Sequence, residues 1–248
     1  MRLLVLPLFV SCAACTTGAP SDRGQAVSLD SVRVVNAAQR FEAVVHYPRS
    51  RSLPDPIRRA LEDSARSYVL DFQQRAEPVT SDQPDGYVNS LYGGVEAFYE
   101  GPQLVSGRFV VNESFAGDAH PSHWARCFVY DRQTGTSADL RSLFVDGAPY
   151  LYVLSEQVRA ALRTSFALDT LRIEDEAMFL EGTSPVPETF ACTSLSEDGV
   201  HVFFGPYQIG SYAFGEHEAV VPWANLRRMV RPDGLAAPFV GAFPAAPS

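Results

Sequence analysis

Residues 115–147, FAGDAHPSHWARCFVYDRQTGTSADLRSLFVDG, decide the fold. The stretch begins with small and turn-forming residues, and Pro121 favours an extended conformation for His120. Aromatic and branched side chains over residues 123–131 then predict a β-strand. Residues 132–135 predict a tight turn, in which Gly135 can adopt a positive φ at low cost. The stretch therefore predicts a loop, a strand, a turn and a short element that leads into a helix.

Several residues of this stretch match a known pattern, in which Gly-Gly-Ala-His-Pro precedes Tyr-Asp-x-x-Thr-Gly and Leu-x-x-Leu-Phe. The matching residues are Gly117, Ala119, His120, Pro121, Tyr130, Asp131, Thr134, Gly135, Leu140, Leu143, Phe144 and Gly147. Asp118 departs from the pattern, since it occupies the place of the second glycine. The stretch resembles the extracellular domain of RsiV-type anti-sigma factors, which sense lysozyme, and of PdaC-type envelope proteins.

The end of the chain resembles the same family, with matches at Tyr207, Tyr212, Gly215, Pro222 and Leu226. The extended segment and helix before residue 75 resemble the small PdaC-like domain that precedes the His-Pro domain in this family. The resemblance implies a PdaC-like domain over residues 30–115 and an RsiV-like His-Pro domain over residues 116–231. A flexible tail is predicted for residues 232–248, which are rich in proline, alanine and glycine.

Composition narrows the classes of partner. The chain of 248 residues has a net charge of −9, which argues against a nucleic-acid partner. All 20 basic residues are arginine, so lysine-dependent Schiff-base and phosphate-loop chemistry is excluded. No Gly-x-Ser-x-Gly or His-Glu-x-x-His motif is present, and no catalytic residue or cofactor is predicted.

The N-terminus predicts export. Residues 3–10 form an apolar run that is too short to span a bilayer, and residues 11–15 (SCAAC) resemble a lipobox. We therefore expect a lipoprotein signal peptide over residues 1–15 with lipidation at Cys15, and a tether over residues 16–29. Cys12 is the alternative lipidation site, and an ordinary secretory signal cut near Ala14 is the alternative interpretation. The predicted location is the bacterial cell envelope, by a lipid anchor, facing the periplasm or the exterior.

Hydrophobic periodicity predicts an α+β fold with antiparallel sheets. Amphipathic helices are predicted near residues 56–75 and 149–166, and a short terminal helix at residues 223–231. A hairpin is predicted from the alternation at residues 32–47, and further strands at residues 87–99 and 103–115. Residues 188–194 and 199–205 are predicted to form a second hairpin, which residues 207–214 and 218–221 extend.

Cysteine and histidine residues leave two questions open. Cys127 and Cys192 lie in predicted strands of an exported chain, so a disulfide is permitted, and two buried thiols are the alternative. His120 and His123, together with His217, could bind a divalent metal if the loop and the later strand converge. The alternative is that His120 bonds backbone carbonyl groups while His123 is solvated.

The function expected from these features is non-enzymatic binding or sensing at the envelope. The candidate binding residues are Asp118, His120, Pro121, His123, Tyr207 and Tyr212. The resemblance implies a lysozyme-like protein or peptidoglycan as the partner, and the acidic chain suits a basic protein. A metal-dependent hydrolase of cell-wall material that uses His120, His123 and His217 is one alternative, and a structural envelope lipoprotein is another.

Overall fold

The structure is a computed structural model that describes residues 28–79, 86–169 and 171–241. The predicted signal peptide, both candidate lipidation sites (Cys12 and Cys15) and most of the predicted tether lie outside the described residues. Residues 242–248 of the predicted tail also lie outside them. In the described ranges, no helix combines the length and the apolar character needed to cross a membrane.

The fold is α+β, as predicted, and the described residues form two sheets with long and short helices. The strands are β1 (Leu29–Asn36), β2 (Phe41–Pro48), β3 (Asn89–Glu100), β4 (Leu104–Ser114), β5 (Ser122–Asp131), β6 (Thr193–Leu195), β7 (Gly199–Phe204) and β8 (His217–Pro222). The helices are α1 (Asp55–Arg75), α2 (Tyr150–Leu168), α3 (Glu176–Gly182), α4 (Trp223–Leu226) and α5 (Ala237–Val240).

The first sheet has the order β1-β2-β3-β4-β5. Its pairs are antiparallel except β2–β3, which is parallel. The parallel pair is an exception within sheets that are mostly antiparallel, as predicted. It follows from α1, since a helix between two strands acts as a crossover that brings the second strand back in the same direction. The crossover helix then covers one face of the sheet with the side chains of Ile57, Leu61, Ala65, Val69 and Phe72.

The second sheet has the order β6-β7-β8, with antiparallel pairs. Helix α2 packs on it through the apolar stripe that the sequence predicts, which includes Leu154, Val158, Leu162 and Phe166. Each of the two sheets therefore has its own long helix and its own hydrophobic core.

Strand β4 lies between the two cores because its side chains alternate. Val105, Phe109 and Val111 belong to the core beneath α1, whereas Leu104 belongs to the core of the second sheet. Ser106 is fully buried and ties the layers together. Its hydroxyl donates to the Phe128 carbonyl oxygen at 3.0 Å and accepts the Leu195 N–H at 2.8 Å.

The first sheet extends across the predicted boundary between residues 115 and 116. Strand β5 follows that boundary, yet it pairs with β4 from Glu113↔Ser122 to Leu104↔Asp131. It also supplies Trp124 to the helix-covered face, where the Tyr68 ring lies 5.0 Å from it. A strand with one apolar face and a long antiparallel partner is held by the sheet that it completes.

Four predicted segments differ from the structure. Residues 207–214 do not extend the second sheet; they form a loop that ends in a single 3₁₀ turn at Tyr212–Phe214. The helix predicted for residues 223–231 ends at Leu226, while residues 188–194 contribute only the short strand β6. Residues 232–241 are not a loose tail, because the Phe239 ring stacks on Trp223 at 5.1 Å and Val240 is buried.

Cys127 and Cys192 form a disulfide, with 4.7 Å between their Cα atoms. Cys127 lies in β5 and Cys192 directly precedes β6, so the bond joins the first sheet to the second. The sequence is compatible with this bond but does not favour it over two free thiols.

Candidate functional site

Two loops build the site, and the first is the segment between β4 and β5. Gly117 has φ of 101°, which L side chains rarely adopt. Asp118, which replaces the second glycine of the family pattern, closes the turn with its side chain. Its carboxylate accepts the Phe115 N–H at 3.0 Å, and its own N–H donates to the Phe115 carbonyl oxygen at 3.0 Å. Although Asp118 departs from the family pattern, its side-chain hydrogen bond stabilises the turn.

Asn89 anchors the same loop from below. Its side chain is only 3% exposed, and both of its polar atoms are used. The Nδ2 group donates to the Glu77 carbonyl oxygen at 2.6 Å, while Oδ1 accepts the Ala116 N–H at 2.8 Å. A buried amide that is satisfied in this way fixes the loop against the end of α1 and the start of β3.

The second loop runs from β7 to β8 and is anchored by Gln208. The Gln208 side chain accepts the Gly205 N–H at 3.3 Å and donates to the Thr189 carbonyl oxygen at 3.2 Å. Gly182 at the end of α3 lies directly against the loop, since a Cβ atom there would come within 1.8 Å of the Gln208 carbonyl oxygen. The Gln208 side chain and the contact with Gly182 together hold the backbone at Gly205 and Gln208, on either side of Tyr207.

The two loops meet in what we call the His-Pro surface, which comprises His120, Pro121, His123, Tyr207 and Tyr212. The Tyr212 ring stacks on His120 with centroids 4.3 Å apart, and its hydroxyl donates to the Pro121 carbonyl oxygen at 2.9 Å. The same oxygen accepts from His120 Nδ1 at 3.1 Å. The rings of Tyr207 and His123 lie 5.7 Å and 6.4 Å from Tyr212. Tyr212 is thus the centre of an aromatic patch on the surface.

Tyr207 projects furthest from this patch. It is 60% exposed and has φ of 66°, in the left-handed region that non-glycine residues seldom occupy. Backbone conformations of this kind cost about 1–3 kcal/mol and are concentrated at binding sites. The geometry presents a large ring to the solvent with its backbone fixed by the neighbouring glutamine.

Five of the six predicted binding residues therefore come together. They belong to two segments that are more than 80 positions apart in the chain. The sixth, Asp118, lies in the same loop and uses its carboxylate to close the turn. Its role is to shape the loop that carries His120 and Pro121.

His217 does not join the other two histidines of the predicted metal site in a metal-binding group. Its Nε2 donates to the Phe214 carbonyl oxygen at 2.9 Å, and its ring packs edge-on against Phe166 at 4.8 Å. Burial lowers the pKa of His217, which keeps the ring neutral beneath the loop. Within the ranges that the structure describes, no group of three or more His, Cys, Asp or Glu side chains is placed to hold a metal ion.

A second polar cluster, which the sequence did not predict, surrounds His201. Its Nε2 lies 2.7 Å from the Ser196 hydroxyl and 2.9 Å from Asp198, and its Nδ1 lies 2.6 Å from Glu218. Arg108 of β4 donates to the other Glu218 oxygen at 2.6 Å. The cluster therefore connects the two sheets through a chain of charged hydrogen bonds.

The His201 cluster has the spacing of a Ser-His-acid triad but opposite electrostatics. Burial lowers the pKa of His201, yet hydrogen bonds to Glu218 and Asp198 outweigh it and raise the pKa above its ordinary value. A ring that is held protonated between two carboxylates donates at both nitrogens and does not accept a proton from Ser196. The arrangement suits a structural ion-pair network better than nucleophile activation.

Comparisons with known proteins agree with this fold. Residues 141–224 match the family described as "Protein of unknown function (DUF3298)". The chain is 24% identical over 205 residues to the peptidoglycan-N-acetylmuramic acid deacetylase PdaC of Bacillus subtilis. That alignment covers 82% of this chain and 42% of PdaC, so the chain spans about two fifths of the length of this relative. The predicted relation to PdaC is confirmed, and the RsiV-like character stays a prediction.

Two solved structures share the fold. A DUF3298 family protein from Pseudomonas aeruginosa superposes with a TM-score of 0.57 at 18% identity, covering 84% of this chain and 96% of that protein. A member of the family from Bacteroides fragilis has a TM-score of 0.56 at 18% identity, covering 87% and 96%. At this identity the similarity shows the fold alone.

Proposed function

We propose, from the similarity to PdaC and from the His-Pro surface, that this chain is a non-enzymatic module that binds peptidoglycan at the bacterial cell envelope. The observation that supports it most directly is the aromatic patch centred on Tyr212, with Tyr207 exposed beside it. The name of the relative specifies an enzyme that acts on peptidoglycan, and a module in such a protein has reason to contact the same polymer.

The chemistry of the surface suits a sugar. Tyrosine and histidine rings offer flat apolar faces, on which the C–H faces of a pyranose can lie, and polar edges for its hydroxyl and amide groups. The Tyr207 hydroxyl has no hydrogen-bond partner among the described residues, so it is available to a ligand. Because the backbone carbonyl of Pro121 already fixes the rings of His120 and Tyr212, little side-chain entropy is lost on binding.

The predicted lipid anchor completes this proposal. Lipidation at Cys15 would tether the folded residues to a membrane within reach of the cell wall, and the segment before β1 would set that reach. Mass spectrometry of the N-terminal peptide, with Cys15→Ser as the variant, tests this part separately from ligand binding.

Binding to purified peptidoglycan tests the central proposal. Purified sacculi are mixed with the full chain, and the bound fraction is measured after sedimentation. Tyr207→Ala removes the exposed ring without removing a described hydrogen bond, and we expect it to weaken binding about tenfold, or about 1.4 kcal/mol. Tyr152→Ala is the matched control, since Tyr152 on α2 is 68% exposed and lies outside the His-Pro surface.

Two outcomes would contradict peptidoglycan binding: no sedimentation with sacculi, or equal sedimentation of Tyr207→Ala and the parent chain. A lysozyme-like protein is the second candidate ligand, which the net charge of −9 favours through electrostatic steering. Calorimetric titration with a c-type lysozyme at two salt concentrations distinguishes it. Tight binding that weakens with salt, together with no affinity for sacculi, would replace the first proposal by the second.

A further inference from the structure

A groove of about 540 Å³ runs along β5, and none of the His-Pro residues lines it. Its walls come from both halves of the fold: Tyr68 of α1 lies on one side, and Tyr150 of α2 with Phe190 on the other. The disulfide partner Cys127 is part of its lining, so the covalent bond between the sheets holds two of its walls.

The outer edge of β5, in this groove, has backbone groups that are not paired with another strand. Strand β5 is the last in its sheet, and its Val129 carbonyl oxygen faces away from β4 to accept the Ala138 N–H at 2.8 Å. Backbone groups of alternate residues face the same side of a strand, so those of Cys127 and Ala125 also face outward. No hydrogen bond from the residues that the structure describes reaches these outward groups.

Two arginine side chains at the groove lack carboxylate partners. Arg126 and Arg141 both line it, and neither forms an ion pair with a carboxylate of the described residues. Arg132 on the adjoining turn, by contrast, pairs with Glu100 at 3.0 Å. Asp139 also lines the groove, but its carboxylate accepts the Ser142 N–H at 2.7 Å and caps the following turn. What distinguishes Arg126 and Arg141 is that both guanidinium groups line the same groove, where they can bind an acidic side chain.

We infer that β5 binds an extended acidic peptide as an additional strand. The backbone of the peptide pairs with the outward groups of Ala125 and Cys127, as in other cases of strand addition to an exposed edge. An acidic side chain of the peptide meets Arg126 and Arg141, and the apolar side chain next to it, which points to the opposite face of the added strand, enters the aromatic part of the groove. This site uses none of the His-Pro residues and goes beyond the function proposed for them.

A matched pair of peptides tests the inference. The probes are the N-acetylated, C-amidated pentapeptides Thr-Val-Asp-Val-Thr and Thr-Val-Asn-Val-Thr, which differ in one carboxylate. Each is titrated into the full chain, and affinity and the affected amides are measured by NMR. We expect the aspartate peptide to bind at least fivefold more tightly and to shift the Ala125 and Cys127 amides. In the double variant Arg126→Gln, Arg141→Gln this difference should disappear.

A second variant separates strand pairing from charge. Ala125→Pro removes one outward N–H, and a proline is tolerated where an edge strand faces solvent. We expect it to weaken both peptides about tenfold, whereas Ala125→Ser, which keeps the N–H, should bind like the parent chain. Equal affinity of the two peptides, or shifts confined to other residues, would overturn the inference. A concentration-dependent dimer that protects the same amides would also overturn it, because a second copy of the chain would then occupy the edge.

Discussion

Single residues set the shape of the His-Pro surface, and the left-handed backbone of Tyr207 is the clearest case. Sequence patterns report side-chain chemistry, so His120, Pro121 and the two tyrosines could be predicted as a set. The φ of 66° could not, because no local preference of tyrosine favours it. The loop is held next to Tyr207 by contacts distant in sequence, since Gln208 bonds the Thr189 carbonyl oxygen and lies against Gly182.

Gly182→Ala is predicted to destabilise the fold through that contact. A Cβ atom at residue 182 would overlap the Gln208 carbonyl oxygen, so α3 and the loop must separate. We expect the free energy of unfolding to fall by about 1–3 kcal/mol, measured by urea denaturation. Gly205→Ala is the control, since nothing lies within 4 Å of its Cβ position, and a change of less than about 0.5 kcal/mol is expected. Equal losses in both variants would contradict this account.

The His201 cluster shows what residue patterns miss. Ser196, Asp198, His201 and Glu218 have no motif spacing in the sequence. The pairing of β7 with β8 brings Phe203 opposite Glu218, which places the carboxylate beside His201, two residues earlier on the same face. A register of this kind is fixed by the hydrophobic face of the whole sheet, so the cluster follows only after the sheet is known.

Hydrophobic periodicity predicts helices and strands correctly where one face of the element is buried. Both long helices and most strands lie close to their predicted positions for that reason. The segment 207–214 does not form the predicted strand, and its aromatic residues do not alternate regularly. Their rings instead contact Phe166 and His120, which are distant in sequence. Helix α5 was missed because its proline-rich composition is typical of tails, whereas Phe239 is held by Trp223.

The disulfide between β5 and the residue before β6 is predicted to stabilise the fold. Cys127 and Cys192 are 65 residues apart, so the bond removes much conformational freedom from the unfolded chain. The double variant Cys127→Ala, Cys192→Ala should lower the free energy of unfolding by about 4 kcal/mol. Thermal unfolding with and without a reducing agent measures this. The reductant should destabilise the parent chain and leave the variant unchanged; an effect on both would show that the loss has another origin.

Across the whole molecule, Arg108, Glu218 and His201 connect the two sheets electrostatically. Arg108 is almost buried; besides Glu218 it has Glu96 at 3.6 Å, and its guanidinium lies 4.6 Å above the Phe203 ring. The hydrogen bond from His201 lowers the pKa of Glu218, and Arg108 adds to this effect against burial. Protonated His201 supplies a second cation, besides Arg108, to the carboxylates of Glu218 and Asp198.

Stability should therefore depend on pH through His201. Because its pKa is raised above the ordinary 6.5, its stabilising contribution is complete below that pH and is lost as pH rises through the folded-state value. His201→Gln should then cost more stability at about pH 5.5 than at about pH 8.5. Urea denaturation of both proteins at the two pH values measures the difference.

The titration of His217 does not affect the comparison of the parent chain with His201→Gln. Burial lowers the pKa of His217, so its contribution has the opposite sign and is lost as pH falls below 6.5. This contribution is common to the parent chain and His201→Gln, and it cancels in their difference. A difference that stays constant between the two pH values would show that the His201 ring does not gain its charge on folding.

Strand β4 has a consequence for how such a chain can evolve. Its alternate side chains complete two cores, with Phe109 beneath α1 and Leu104 against the second sheet. Recombination at residue 115 should destabilise either half, since the transferred half would expose one face of this strand or lack it altogether. We therefore expect the two predicted domains to be inherited together, because both depend on the same strand.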